Sequence, residues 1–367
     1  MADQVKHYFA RGNTADGLYT LFDSVLSGLD TVFVLQGRAG TAVSAFLSEL
    51  AEAWSQKGWS LHYIHHPLNR DWLEGLILKD IGIGVVDGNA WSADPVLEGT
   101  EIRMIDLEDA ISTELLNEHA GEMEEAERQT SALYSEAYDT FQKTLRIHDE
   151  WEAFYIQNLD RAVMDRLAEE WAEEHLVPIR PRRAHAVHRF LGAATCEGAV
   201  DYVLNLTDGL KKRVFVKGRP GSGKSTLFKR LAKAAEERGV DTEIYHCGFD
   251  PNSLDMIIFP QQSLAIFDST APHEHFPSRE GDEILDVYEL AITAGTDEQY
   301  EDQIAEIRGR YSRSMKEAIA LLATIREVQE PVLRIYDQAV DREAIRRLAK
   351  GISAEVDALT NSSVVGD

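Results

Sequence analysis

Gly218-Arg219-Pro220-Gly221-Ser222-Gly223-Lys224-Ser225-Thr226 stands between an apolar stretch at residues 213–216 and a stretch with helical apolar spacing at 225–238. It fits G-x-x-x-x-G-K-[ST] at every defined position, and a strand-to-helix junction is where that pattern carries a mechanism. Gly221 and Gly223 lack Cβ, so the chain can turn tightly and aim successive N–H groups at phosphate oxygens. The helix that follows points its positive dipole end at the same place. The expectation is a bound ATP cradled by residues 218–226. Lys224 would meet the β- and γ-phosphates, and the Ser225 hydroxyl would meet Mg²⁺.

Mg²⁺ also calls for a carboxylate near a strand end. Asp268, closing the apolar run 264–267, is the candidate, with Lys224, Asp250 and Asp255 beside it in the catalytic set. Asp268 has a plainer reading as a cap on the turn through Ser269-Thr270. Ser269 stands where many ATPases have a Glu, so a group that positions water must come from elsewhere. Asp250 and Asp255 follow the second strand of this half, at the carboxyl edge where open sheets bind ligands. Asp250-Pro251 reads equally as a turn. His246, Cys247, His273 and His275 lack the spacing of a tetrahedral zinc site. Arg279 reads as an ion-pair partner of Glu280 or Asp282 before it reads as an arginine finger.

Sliding the chain on itself by 181 residues reveals a duplication. His7 and Phe9 fall on His188 and Phe190, Gly28-Leu29 on Gly209-Leu210, and Gly37-Arg38 and Gly40 on Gly218-Arg219 and Gly221. His65, Leu73 and Asp87 meet His246, Leu254 and Asp268, and Asp160-Arg161 meets Asp341-Arg342. The halves are 1–181 and 182–367, joined near Pro178-Ile-Arg-Pro181. Each half predicts a short helix (15–26, 196–207) and then strands at 31–35 and 213–216. The phosphate-type loop and its helix follow, then strands at 60–64 and 241–245 and at 82–86 and 264–267. Strands alternating with helices predict α/β units with mainly parallel sheets. Residues 107–176 and 284–359 read as charged, amphipathic helical extensions. A stripe through Ile304, Ile307, Tyr311, Met315, Ile319 and Leu322 predicts one long helix, and each extension is expected to cover its own α/β core.

The duplication supplies an internal control. In the first half the loop reads Gly37-Arg38-Ala39-Gly40-Thr41-Ala42-Val43-Ser44. Ala42 replaces Gly223 and Val43 replaces Lys224. The first half therefore predicts a degenerate repeat without nucleotide, acting as scaffold or lending a side chain such as Arg38 or Arg70. The charge agrees: the net is −20 over 1–181 and −6 over 182–367.

The whole chain carries −26 over 367 residues. A surface this acidic repels phosphate backbones, so no nucleic acid is expected as partner, and no membrane. Two cysteines, Cys196 and Cys247, are no disulfide framework. With no apolar leader and no run of about 18 apolar residues, the expectation is a cytoplasmic protein.

Three stretches carry a resemblance: Gly218–Ser225, His246-Cys-Gly-Phe-Asp-Pro-Asn-Ser-Leu-Asp255 and Phe267-Asp-Ser-Thr-Ala-Pro-His273. They are similar to a little-characterised bacterial family of tandem-repeat P-loop ATPases, or ATP-binding proteins, and the similarity runs through the chain. The resemblance implies ATP binding and two P-loop NTPase-like units, and brings no second substrate. Members often keep better phosphate loops in both halves, which Ala42 and Val43 do not. The functions expected are Mg²⁺-dependent ATP hydrolysis first and phosphotransfer to a small acceptor near Asp250, Asp255 and Arg279 second. A nucleotide-gated adaptor for a protein partner comes third. No Asn-Lys-x-Asp run reads guanine, which favours ATP over GTP.

Overall fold

The computed structural model describes residues 5–37, 41–92, 96–177 and 184–364. The chain is α/β and forms two compact units. One takes residues up to 10, 20–135 and from 321 onward; the other takes 11–19 and 136–320. No helix among the described residues is long and apolar enough to cross a membrane.

In the second unit the strands run in the order Asp282–Asp286, Lys212–Lys217, Leu264–Asp268, Leu254–Phe259, Thr242–His246, Ala186–Phe190. Lys212–Lys217 is parallel to both neighbours, and Thr242–His246 is parallel to Ala186–Phe190. Leu254–Phe259 is antiparallel to both of its neighbours, which makes the sheet mixed. The cause is connection length. Only the turn Pro260–Gln262 and Ser263, at φ 52°, separate it from Leu264–Asp268. A parallel crossover needs a dozen residues or more. Helix Lys224–Glu237 buries Leu227, Phe228, Leu231 and Ala235, a one-sided stripe, against Val214, Val216, Ile257, Phe259 and Ile266 of the sheet.

The first unit repeats this plan with Glu101–Asp106, Thr31–Gln36, Ile83–Asp87, Leu73–Leu78, Leu61–His65 and Lys6–Phe9. The register repeats too. His65 pairs with Leu73 across an irregularity after Ile64, as His246 pairs with Leu254 after Tyr245. Only the edge strand drifts by one residue, since Leu35 pairs with Ile105 but Val216 with Leu285.

Two expectations need correction. The helices expected at 15–26 and 196–207 are hairpins that end in short helices. Strands Arg11–Thr14 and Gly17–Thr20 precede helix Phe22–Leu26, and Gly192–Thr195 and Gly198–Asp201 precede Val203–Leu206. Gly17 and Gly198 take φ of +90° and +110°. Thr14 Oγ1 and Thr195 Oγ1 accept the N–H groups of Asp16 and Glu197, both at 3.1 Å, and close the turns. Likewise Ile284 lies in an edge strand, not a helix.

The helical extensions are the second correction, because they do not cover their own repeat. Helix Arg161–His175 packs Met164, Ala168, Trp171 and Ala172 into the core of the second repeat's sheet. Helix Arg342–Val364 packs Ile345, Ala349, Ile352 and Val356 onto helix Thr41–Ser55 of the first repeat. Trp54 Nε1 donates to Ser353 Oγ at 3.3 Å in that contact. Asp160 and Asp341 cap these helices in the same way, by accepting N–H groups two and three residues ahead. The long helices Ala120–Ile156 and Glu301–Ala339 carry the chain from one unit to the other. Each compact unit therefore draws on both sequence repeats, and the expected joint at 178–181 lies outside the described residues. An apolar stripe shows that a helix buries a face, not which core receives it.

Candidate functional site

The loop after Lys212–Lys217 is shaped by its glycines. At Gly218 a Cβ would come within 2.5 Å of Ser222 Oγ, and at Gly221, with φ +76°, within 2.5 Å of the Glu152 carbonyl oxygen. Gly223 caps helix Lys224–Glu237 at φ +89°. Ser222 donates through N–H and Oγ to the Arg219 carbonyl, at 3.1 and 2.7 Å. Lys224 Nζ donates to the same oxygen at 3.0 Å. The Arg219 guanidinium is turned outward. It reaches Asp297 Oδ2 at 2.8 and 3.1 Å and lies 5.0 Å over the Tyr288 ring. Pro220 is partly buried and Thr226 is exposed. The N–H groups of Gly223, Lys224 and Ser225 have no partner among the described residues. They are the free donors of a helix start.

Lys224 is 8% exposed, so its ammonium sits in a site that excludes most water. Its Nζ lies 3.5 Å from Asp268 Oδ2. Asp268 has the plainer of the two roles read from the sequence, the cap on the turn. Oδ1 accepts from Thr270 N–H and Oγ1 at 3.0 and 2.6 Å, while Oδ2 faces the lysine. Asp255 is buried in Leu254–Phe259. Burial and the Asp268 charge push its carboxyl up to about 6, against the opposing pull of His273, Cys247 and Lys224. Ser225 Oγ accepts the Leu254 N–H at 3.0 Å. Asp250 serves a turn, with Oδ1 accepting the Asn252 N–H at 3.0 Å.

The remaining candidates fall apart into separate roles. His246 pairs with His188 at 2.8 Å, and His65 with His7 at 2.8 Å in the first repeat. Arg279 donates to the carbonyls of Thr207 and Leu210 and lies 3.7 Å from Asp208 and Asp282, so it braces the sheet edge. His273 and His275 turn to one carboxylate that the motif reading did not single out. His273 Nδ1 lies 3.1 Å from Asp201 Oδ2, and His275 Nε2 lies 3.1 Å from Asp201 Oδ1. Burial acts to raise Asp201. The His273 hydrogen bond, its charge and the Val203 N–H outweigh it and hold the carboxyl down at about 2. Burial likewise acts to lower His273, and Asp201, Asp255 and Asp268 together raise it. The segment is braced by Ser269 Oγ, which donates to the His275 carbonyl at 2.7 Å, and by Lys217 Nζ, which donates to the same carbonyl at 3.0 Å. The sequence did hold a signal for this group: at a shift of 181, Asp201 and His273 fall on Thr20 and Ser92.

The first repeat shows what remains when the lysine is gone. Arg38, Ala39 and Gly40 lie outside the described residues. Ala42 and Val43 are 1% and 3% exposed and join the apolar core. Ser44 Oγ accepts the Leu73 N–H at 3.0 Å, as Ser225 does for Leu254. Glu74 replaces Asp255 and lies 3.6 Å from His66, which replaces Cys247. The Arg70 carbonyl pairs with His65 Nδ1. Comparison with protein families, with curated proteins and with solved structures found no match.

Proposed function

We propose that the chain is an ATP-binding, P-loop-type protein whose second repeat binds one Mg²⁺·ATP and hydrolyses it, the first repeat serving as a nucleotide-free scaffold. The observation that carries this reading is the placement of Lys224. A cation 92% removed from water sits at a helix start with open N–H donors, opposed by Asp268. A triphosphate would replace the Arg219 carbonyl as the lysine's partner and gain charge-assisted bonds in a partly dry site. Ser225 and Asp268 would hold Mg²⁺, whose charge offsets that of the phosphate oxygens. The Ser225 hydroxyl keeps a lone pair beyond the one given to Leu254, and Asp268 Oδ2 is not used by the turn, so both donors suit a hard cation. Asp255, buried and poised near neutrality, is the carboxyl best placed to exchange a proton there.

A second reading, a nucleotide-gated adaptor with little turnover, is favoured by one observation. The backbone of Glu152, on helix Ala120–Ile156, lies against Gly221, so a change in the loop would press on that helix. Equilibrium titration of Lys224→Ala with ATP, with a thermal melt as folding control, tests both readings. Loss of most binding in a folded variant is the expected result, and unchanged affinity would end them. Asp268→Asn should weaken affinity more with Mg²⁺ than with EDTA. Equal losses would leave Asp268 as a cap alone.

A further inference from the structure

We propose that His273, oriented by Asp201, is the residue that recognises the terminal phosphoryl group of the bound triphosphate and so distinguishes it from the diphosphate. This rests on the nucleotide reading above and adds the group that reads the third phosphate.

The geometry comes first. Asp201 holds two imidazoles, one on each oxygen, at 3.1 Å. An ionised carboxylate only accepts, so His273 Nδ1 carries its proton toward Asp201. Nε2 of His273 has no partner among the described residues, and the side chain is 15% exposed. Asp201 is its one side-chain partner among the described residues, His275 holds the far oxygen of Asp201, and the charges of Asp255 and Asp268 act on the ring from farther off. The Asp201 carboxylate, hydrogen-bonded at 3.1 Å, favours an imidazolium, whose Nε2–H is a donor of the charge-assisted kind. A ring fixed through one nitrogen and open at the other, in the loop that follows the carboxylate facing Lys224, is preorganised for an oxyanion.

The duplication supplies the second argument. The first repeat keeps the strand register, the Ser44–Leu73 bond, the His7–His65 pair and Asp87 in the place of Asp268. It lacks Lys224, His273 and Asp201 together, with Val43, Ser92 and Thr20 in their places. A dyad needed only to brace the fold would be needed in both copies. One that serves the phosphates is needed only where the lysine is.

The test is the affinity of the full chain for a slowly hydrolysed ATP analogue and for ADP. Wild type should prefer the triphosphate. His273→Ala should lower triphosphate affinity roughly 10- to 100-fold, the scale of one hydrogen bond to a charged group, and leave ADP within about twofold. Asp201→Asn, which leaves the imidazole but frees its ring, should give a smaller loss of the same selectivity. Thermal melts separate misfolding from lost contact, and His273→Gln offers a closer shape if the alanine variant does not fold. Equal losses for both nucleotides, or none, would overturn the proposal while leaving the phosphate loop intact. So would a wild type without triphosphate preference, whatever the variants do. A wild type that binds neither nucleotide would remove the underlying reading and this proposal with it.

Discussion

The hydroxyl of Ser225 accepts the backbone N–H of Leu254 at 3.0 Å. The same bond, at the same length, joins Ser44 to Leu73 in the repeat that has lost the loop lysine. The serine therefore has a structural duty that is independent of phosphate: it ties the first turn of the helix to the second hairpin strand.

Ser44→Ala and Ser225→Ala should each destabilise by about 1–2 kcal/mol, because each leaves a strand N–H without its partner. Urea denaturation measures this. In addition, only Ser225→Ala should weaken Mg²⁺-dependent nucleotide affinity. A stability loss in one variant alone would show that the two bonds are not equivalent.

Exchange of the helical covers has a consequence for dissection. A fragment of residues 1–181 carries Met164, Trp171 and Ala172 without the core they enter, and its first core lacks Ile345, Ile352 and Val356. Exposed apolar faces of that size cost the fragment most of its stability. It should show no cooperative melt by circular dichroism alone, and mixing with residues 182–367 should restore one. A cooperative transition in the isolated fragment would contradict the exchange.

The paired histidines set a pH dependence. Burial, chiefly, holds His65 and His188 down at about 4, while His7 and His246 are lowered in the same direction. Unfolded, each titrates near 6.5. As pH falls from 6.5 toward 4, the unfolded chain takes up protons that the folded chain refuses, so stability falls across that window. Between pH 7 and 5 the loss from His65, which is 7% exposed, should be roughly 2 kcal/mol. Denaturant midpoints at the two pH values check it, and equal stability at both would mean that the pairs are protonated in the folded state.

Much of this architecture is legible in the chain itself. The duplication at 181 residues, the three apolar strands of each half and the helix after each loop follow from identity and periodicity. Some strands escape notice because they are short and polar, as Arg11–Thr14 is, or because their partner is distant in sequence, as Lys212–Lys217 is for Asp282–Asp286. The buried apolar strands Leu73–Leu78 and Leu254–Phe259 escape it too, since a continuous apolar run carries no period. Asp250 and Asp255 sit five residues apart in one motif, yet one makes a turn and the other is buried beside Asp268. Burial is a property of the packed sheet, so no motif separates them. Asp201 and His275 meet only because a hairpin and the loop after Asp268 converge.

The central claim is that one repeat, and not both, holds nucleotide. Lys224 faces Asp268 at the loop, whereas Val43 has become part of an apolar core. Loss of a charge-assisted contact of about 1.5–3 kcal/mol, with no replacement cation seen at the described part of the first loop, is enough to push binding past ordinary concentrations. Calorimetry of the full chain with a slowly hydrolysed ATP analogue and Mg²⁺ should give a stoichiometry near one, abolished by Lys224→Ala. A stoichiometry near two, or binding that survives that substitution, would contradict it.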